Sequence, residues 1–185
     1  MNLLLRFLWL RLVTRFRPPC SLLGPCRTPF RVLPTDLDLL RHMNNGIYFS
    51  LLDLARLDLS GRSGLAAKME AAGYYGVVAA ETIRFRRSLE LFQAFEVESR
   101  VIGWDEKVFA LRQTFLCKGS EVATAVVWAR FLRRSGGGVA PKDMLTIAGY
   151  DGPDMPLPEW AQHWSDVERQ KMPRDRTRRG EHELA

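Results

Sequence analysis

The chain has 185 residues, of which 46% are hydrophobic and 26% are charged, and its formal net charge is +6. This composition is ordinary for a globular protein with a buried core, so it excludes a chain that is disordered throughout, and the length fits one domain. The positive charge is compatible with nucleic acid, an anionic membrane or a phosphorylated cofactor as partner. Because no nucleic-acid-binding motif accompanies the basic residues, we do not expect nucleic acid.

The first segment, residues 1–13, is rich in Leu, Phe and Trp but is interrupted by Arg6 and Arg11. It is too short and too basic to span a bilayer comfortably. Three interpretations stay open: a peripheral membrane contact through residues 1–17, a mitochondrial transit peptide, and a helix docked on its own domain. We therefore expect a cytoplasmic protein, peripheral to a membrane or not, with a mitochondrial location as the alternative.

The chain divides into three parts. Residues 1–26 form the apolar, basic segment and a proline-containing linker, and residues 27–150 form the folded domain. Residues 151–185 form a proline-rich and basic extension that is partly disordered, with disorder expected from Arg169 onward. The three cysteines are odd in number and lack a C-x-x-C spacing, so we expect neither a metal site nor a disulfide framework.

Within the domain, the hydrophobic pattern changes from helical to strand periodicity along the chain. A short strand over residues 30–33 precedes a long helix, which starts at Asn44 or Asn45, ends near Leu59 and is apolar on several sides. A second short helix covers residues 65–72. Four strands follow, at residues 77–86, 95–102, 109–117 and 121–134, and their short connections predict an antiparallel meander. A small helix over residues 141–148 comes after them. A sheet curled around the long helix, in the α+β class, would bury its apolar surface.

Polar residues that could carry chemistry cluster just before the long helix. A helix entrance offers unpaired backbone N–H groups and a partial positive charge, so it can hold an anion or a developing oxyanion. Carboxylates, an imidazole and two amides at such an entrance favour acyl-transfer chemistry. The residues concerned are Asp36, Asp38, His42, Asn44 and Asn45.

This run resembles the D-x-x-x-H-[VM]-N-N-x-x-Y signature of the hotdog-fold thioesterases, the 4-hydroxybenzoyl-CoA and acyl-ACP thioesterase-like superfamily. The matching residues are Asp38, His42, Met43, Asn44, Asn45 and Tyr48. Shorter matches at residues 31–34, 86–89, 103–105 and 162–164 extend the resemblance to the group formed by the sixth member of the animal thioesterase superfamily and its bacterial relatives. It implies the hotdog fold, an antiparallel sheet wrapped around a long central helix.

The resemblance also implies an activity: hydrolysis of an acyl-CoA or acyl-ACP thioester, with CoA or phosphopantetheine entering only as part of the substrate. It implies no separate cofactor, and the exposed sheet edges favour a homodimer or a dimer of dimers. A catalytically weak, membrane-associated acyl-binding or scaffold protein is the alternative function, and a hotdog dehydratase is a third. Two departures from the family pattern are Leu40, where acyl-ACP thioesterases carry asparagine, and Arg41, where glycine is common.

Eight residues are candidates for the site. Asp38 stands where the resembled enzymes carry the nucleophilic or base aspartate, and Asp36 is its rival, although fixing the loop explains it better. Alternative structural roles are capping for the asparagines, core packing for the tyrosine and a solvated face for the arginines. The catalytic candidates are Asp38, His42, Asn44 and Asn45, and the substrate-binding candidates are Tyr48 for the acyl group and Arg84, Arg86 and Arg87 for phosphates.

Overall fold

The structure is a computed structural model and describes residues 2–170. Its helices are α1 (Asn2–Thr14), α2 (Asn45–Arg62), α3 (Leu65–Ala71), α4 (Pro141–Ala148) and α5 (Glu159–Gln170). Its strands are β1 (Cys26–Arg31), β2 (Tyr74–Phe85), β3 (Ala94–Trp104), β4 (Phe109–Cys117), β5 (Ser120–Arg133) and β6 (Gly138–Val139). A short 3-10 helix at Pro34–Asp36 lies between β1 and α2.

The strands form one antiparallel sheet in the order β1-β3-β4-β5-β2, with β6 paired to β5. The predicted meander of four strands is therefore wrong for the first of them, because β2 pairs with β5 and not with β3. The connection between β2 and β3 is not a tight hairpin: it carries the fully buried Leu89 into the core. Of the four predicted strands, only β3, β4 and β5 follow one another as neighbours, and β2 lies at an edge.

Two element boundaries differ from the prediction for reasons of tertiary contact. The first strand was expected over residues 30–33, but β1 runs from Cys26 to Arg31, because these residues pair with Ser99 to Ala94 of β3. Helix α2 continues to Arg62, beyond the predicted end near Leu59. The short helices predicted near residues 65–72 and over 141–148 are confirmed as α3 and α4.

Helix α2 lies against the concave face of the sheet and supplies the centre of the core. Burial of apolar side chains on facing elements is the main stabilising contribution of such an arrangement. The predicted α+β hotdog fold, with a sheet wrapped around a long helix, is confirmed. The core residues that join the helix to the sheet include Leu51, Leu52, Ala55, Phe95, Val97, Phe115 and Val122, each at most 3% exposed.

Helix α1 packs against the domain, the third of the interpretations left open for this segment. Its Leu10 is buried, and Arg6 forms an ion pair with the buried Asp36. Thr14 donates a hydrogen bond of 2.8 Å to Asp58 of α2. Large apolar side chains of the helix are exposed, namely Leu3, Leu4, Leu5, Leu8, Trp9 and Leu12, and Phe16 just beyond its end is exposed as well. Across residues 2–170, no helix combines the length and the apolar character that crossing a bilayer requires.

The outer face of the sheet is covered by α5, an element that the sequence analysis did not predict. Its Trp164 packs on Trp128 of β5 with ring centroids 4.7 Å apart, and Ala161 is fully buried. This part of the 151–185 extension is therefore folded onto the domain. The predicted disorder starts at Arg169, but Arg169 and Gln170 belong to α5, and residues 171–185 lie outside those that the structure describes.

Candidate active site

The segment before α2 is held at both ends by backbone contacts. The buried carboxylate of Asp36 accepts a hydrogen bond of 2.7 Å from the Leu33 N–H, and its carbonyl accepts one of 2.8 Å from the Asn44 N–H. The Met43 N–H donates to the Leu89 carbonyl at 2.9 Å. Asp36 therefore shapes the loop and pairs with Arg6 of α1, a structural role that accounts for its Oδ2 and its carbonyl.

Asp38 stands at the start of a tight loop closed by His42. Its Oδ1 accepts hydrogen bonds from the N–H groups of Leu40 at 2.9 Å and His42 at 3.2 Å. Its own N–H donates to the His42 carbonyl at 2.9 Å. No hydrogen bond to Oδ2 is formed within residues 2–170. The carboxylate is thus oriented through one oxygen, while the other is available to a substrate or a water molecule.

Arg41 has a φ of 63°, the left-handed conformation. For a residue with a side chain this conformation costs roughly 1–2 kcal/mol, whereas glycine adopts it freely. The resembled family commonly has glycine at this position. The departure at Arg41 therefore leaves the turn with the backbone conformation that glycine favours.

The entrance of α2 is capped by Asn44, which decides between the two predicted caps. Asn44 Oδ1 accepts a hydrogen bond of 2.8 Å from the Gly46 N–H, and its carbonyl accepts one of 2.9 Å from the Ile47 N–H. These bonds use two of the donors that the helix end would otherwise leave free. The Asn45 N–H has no such partner in the described part of the chain, so it is the donor that remains for a ligand.

A cavity of about 270 Å³ opens beside this helix entrance. Four of the predicted site residues line it, together with three neighbours that were not singled out as site residues. Each of these three is adjacent in the sequence to a predicted site residue, and this adjacency could have identified them. The predicted members are Asn45, Tyr48, Arg86 and Arg87, and the others are Met43, Phe85 and Ser88.

Tyr48 forms the inner wall of this entrance cavity. Only 2% of it is exposed, and its ring lies 4.9 Å from the centroids of both Phe85 and Phe115. Burial raises the pKa of Tyr48, and a hydrogen bond to the backbone of Leu89 opposes this shift. The phenol therefore stays neutral near physiological pH. Core packing and lining of the site, the two predicted alternatives, coexist at this residue.

The three predicted arginines do not act as one cluster. Arg86 and Arg87 line the cavity, where Arg86 Nε pairs with Glu121 at 2.7 Å and Arg87 Nη2 donates to the Cys117 carbonyl at 3.2 Å. Arg84 precedes Phe85 on β2, so its side chain belongs to the other face of the sheet, because successive strand residues alternate. The cavity therefore presents two guanidinium groups to an anion, and Arg84 is not among its lining residues.

Asp38 and His42 lie on the loop that leads into the cavity, outside its lining. His42 is exposed, and its backbone pairs with Glu90. Among the described residues, no group of three His, Cys, Asp or Glu side chains is placed to hold a metal ion. The arrangement combines a fixed carboxylate, a free helix N–H group, an amide and two guanidinium groups, which suits attack on a carbonyl in an anionic substrate.

Comparison with known proteins agrees with this chemistry. Residues 32–165 match the Thioesterase-like superfamily. The chain is 37% identical over 161 residues to Protein THEM6 of Danio rerio, covering 86% of this chain and 79% of that protein. It is 43% identical over 99 residues to Protein THEM6 of Xenopus laevis, covering 54% of this chain and 48%, about half, of that relative's length.

A solved structure supports the fold. The probable thioesterase YbaW of Escherichia coli superimposes with a TM-score of 0.62 at 24% identity, covering 67% of this chain and 96% of that one. At this identity the likeness supports the hotdog architecture alone. The match over residues 32–165 includes the Asp38 loop, α2 and the whole sheet except β1. This chain therefore belongs to the thioesterase-like superfamily.

Proposed function

We propose that this protein is an acyl-CoA thioesterase that hydrolyses an acyl thioester to a carboxylic acid and free CoA. The observation that carries the proposal is the Asp38 carboxylate, which is held by two backbone N–H groups and keeps Oδ2 unbonded within residues 2–170. It lies on the loop leading into a cavity whose lining offers hydrogen-bond donors. Membership of the thioesterase-like superfamily supports the same reaction.

In the proposed mechanism, Asp38 Oδ2 takes a proton from a water molecule as the water oxygen attacks the thioester carbonyl carbon. The carbonyl oxygen becomes an oxyanion, which the free N–H and the side-chain amide of Asn45 stabilise. The C–S bond then breaks, the thiolate leaves with the proton held by Asp38, and the acid forms. Loss of one oxyanion donor typically costs about 3 kcal/mol in the barrier.

We infer that Arg86 and Arg87 contact the phosphate groups of CoA or of a phosphopantetheine arm. Both line the entrance cavity, and a guanidinium group matches the geometry of phosphate oxygens. Glu121 and the Cys117 carbonyl fix their orientation. Asn44, which caps the helix, and His42, which closes the loop, hold the shape of the site in this proposal, while Tyr48 bounds the acyl group.

We also propose that the protein forms a homodimer, or a dimer of dimers, through β2. This strand has 12 residues and pairs with β5 along one side only, so its other side presents unpaired N–H and C=O groups. Antiparallel pairing of two copies would place the Phe85 end of one β2 beside the Tyr74 end of the other. Light scattering should give twice or four times the chain mass, and a monomer at micromolar concentration would contradict the interface.

A peripheral membrane contact through residues 1–17 is a further part of the proposal. The outer side of α1 exposes Leu4, Leu8 and Trp9, and Arg11 and Arg15 are exposed among them. Apolar side chains with flanking arginines bind an anionic lipid surface. We expect the protein to float with vesicles containing phosphatidylglycerol and Trp9→Glu to reduce this at least threefold. Trp160→Glu on α5 is the control, and equal flotation of both variants would contradict the contact.

The test of the proposed reaction is release of free thiol from short-, medium-, long-chain and aromatic acyl-CoA substrates. The expected result is release of thiol and carboxylic acid in equal amounts from at least one substrate. Binding of acyl-CoA without release would instead support the acyl-binding or scaffold function. Conversion of a hydroxyacyl or enoyl group without free thiol would support a dehydratase.

A further inference from the structure

A second, larger cavity of about 520 Å³ lies on the same seam between α2 and β2 as the entrance cavity. Tyr48 of α2 and Phe85 of β2 line the entrance cavity. The larger cavity is lined by residues of α2 from Asp53 onward and by the first residues of β2. Most of its lining is apolar, which suits an acyl chain. Representative lining residues are Leu57, Leu59, Met69, Val78, Phe109 and Leu145.

A polar cluster lies on this seam between Tyr48 and the apolar part of the larger cavity, and two of its members, Asp53 and Arg56, line that cavity. Arg56 Nη1 donates a hydrogen bond of 2.6 Å to Gln113 Oε1, and Arg56 Nη2 pairs with Asp53. Gln113 is fully buried, and its amide donates to Ser99 Oγ at 2.9 Å. Gln113 is therefore held in place, and through its hydrogen bond it fixes the position of the Arg56 guanidinium group. Glu81 of β2 faces the same guanidinium group, with Oε2 at 3.8 Å from Arg56 Nη2.

Glu81 is the member of this cluster whose hydrogen bonding is incomplete. Its Oε2 is buried and has no hydrogen-bond partner in the part of the chain that the structure describes. Arg56 is already shared with Asp53 and Gln113, and two carboxylates face one guanidinium group. Burial raises the pKa of Glu81, Arg56 lowers it and Asp53 raises it. Leaving a buried oxygen without a hydrogen bond is unfavourable, and a donor supplied by a ligand would relieve this cost.

The position of Glu81 suits a group in the middle of an acyl chain. Glu81 and Phe85 lie on the same face of β2, four residues apart, which is about 13 Å along a strand. Along β2, Glu81 lies between Phe85, which lines the entrance cavity, and Val78, which lines the larger one. A chain that ran along this strand from the entrance cavity to the larger cavity would therefore pass Glu81. Plain methylene groups would leave the buried Oε2 without a partner, whereas a hydroxyl group would donate to it.

We propose that Glu81 is a specificity-determining residue that accepts a hydrogen bond from a hydroxyl group on the acyl chain, whose apolar end fills the larger cavity. The substrate class is thus hydroxylated acyl thioesters, and this inference rests on the proposed thioesterase function. Sites that hydrogen-bond a substrate hydroxyl discriminate against the analogue lacking it, because their own polar group is then left unpaired. The preference over the plain acyl chain is expected to be at least tenfold in kcat/KM.

The experiment compares hexadecanoyl-CoA with monohydroxyhexadecanoyl-CoA isomers that carry the hydroxyl on a middle or terminal carbon. Glu81→Met should bring the ratio of kcat/KM values close to one by lowering only the value for the hydroxylated substrate. Glu81→Gln, which keeps an acceptor, should retain a preference and guards against a folding defect in the first variant. Glu106→Gln, an exposed turn residue, is the matched control and should retain the full preference.

A second measurement separates this inference from the proposed reaction. Displacement of a fluorescent fatty acid by hexadecanoic acid and by its hydroxylated isomers reports binding without turnover. Selective binding of a hydroxylated isomer that is lost in Glu81→Met supports the role of Glu81 even if no thioester is cleaved. Thiol release with no preference for any hydroxylated isomer, or a preference that survives in Glu81→Met, would overturn the inference and leave the thioesterase function standing.

Discussion

Replacing Asp38 with asparagine is expected to lower kcat for thioester hydrolysis by at least ~100-fold while the fold stays intact. The asparagine Oδ1 can still accept the hydrogen bonds from Leu40 and His42, so the loop keeps its shape. What is lost is the basic oxygen that takes a proton from water, and an amide nitrogen cannot replace it. The measurement is steady-state thiol release, with thermal unfolding recorded for the same samples.

Asp105→Asn is the matched control for this variant. Asp105 also orients a turn by accepting backbone N–H groups at its Oδ1, from Lys107 at 2.7 Å and Val108 at 2.9 Å, but it lies in the β3–β4 connection. Its substitution makes the same chemical change in a similar geometry and should leave kcat within about twofold, as no donor or base of the site is affected. Equal kcat in wild type and Asp38→Asn would remove Asp38 from the mechanism.

Replacing Asp58 with alanine is expected to lower the free energy of unfolding by about 3–5 kcal/mol. Asp58 is 1% exposed, and its Oδ2 accepts a hydrogen bond of 2.8 Å from Thr28 and pairs with Arg17 and Arg62, each at 3.2 Å. Its Oδ1 accepts the hydrogen bond from Thr14. Removing the carboxylate leaves two partly buried guanidinium groups without their partner. Urea unfolding measures the change.

The same substitution should also loosen α1, because Thr14 and Arg17 reach the domain through Asp58. We expect faster trypsin cleavage after Arg15 in Asp58→Ala than in wild type under native conditions. Asp53→Ala is the control on the same helix: the Asp53 side chain is 61% exposed, so its loss should cost less than about 1 kcal/mol and leave cleavage unchanged. Unchanged stability of Asp58→Ala would show that these contacts do not hold α1.

The part of the site that could be predicted from sequence is the part that is local in the chain. Most hydrogen bonds that shape the loop from Asp38 to Asn44 and the entrance of α2 join residues two to eight positions apart, such as Asp38 with Leu40 and Asp36 with Asn44. The bond from Met43 to Leu89 is a long-range exception. Turn and capping rules describe such contacts directly. The helix itself follows from its apolar residues, which recur at helical spacing.

The features that escaped prediction depend on residues far apart in sequence. Arg6 meets Asp36 across 30 positions, and Thr14 meets Asp58 across 44. The position of β2 beside β5, which puts Glu81 opposite Arg56, is a choice of strand order that local patterns do not encode. Strand periodicity identifies which face of β2 is buried but leaves its neighbour open. These contacts determine the second cavity and the docking of α1.

The most direct test of the central claim is a single-turnover experiment on Asp38→Asn and Asp105→Asn with enzyme in excess over a bound acyl-CoA substrate. Measuring the bound fraction separately from thioester decay distinguishes chemistry from binding. The predicted result is equal binding by both variants, with decay at least ~100-fold slower in Asp38→Asn. Decay at the same rate in both variants would contradict the claim that Asp38 at the helix entrance drives hydrolysis.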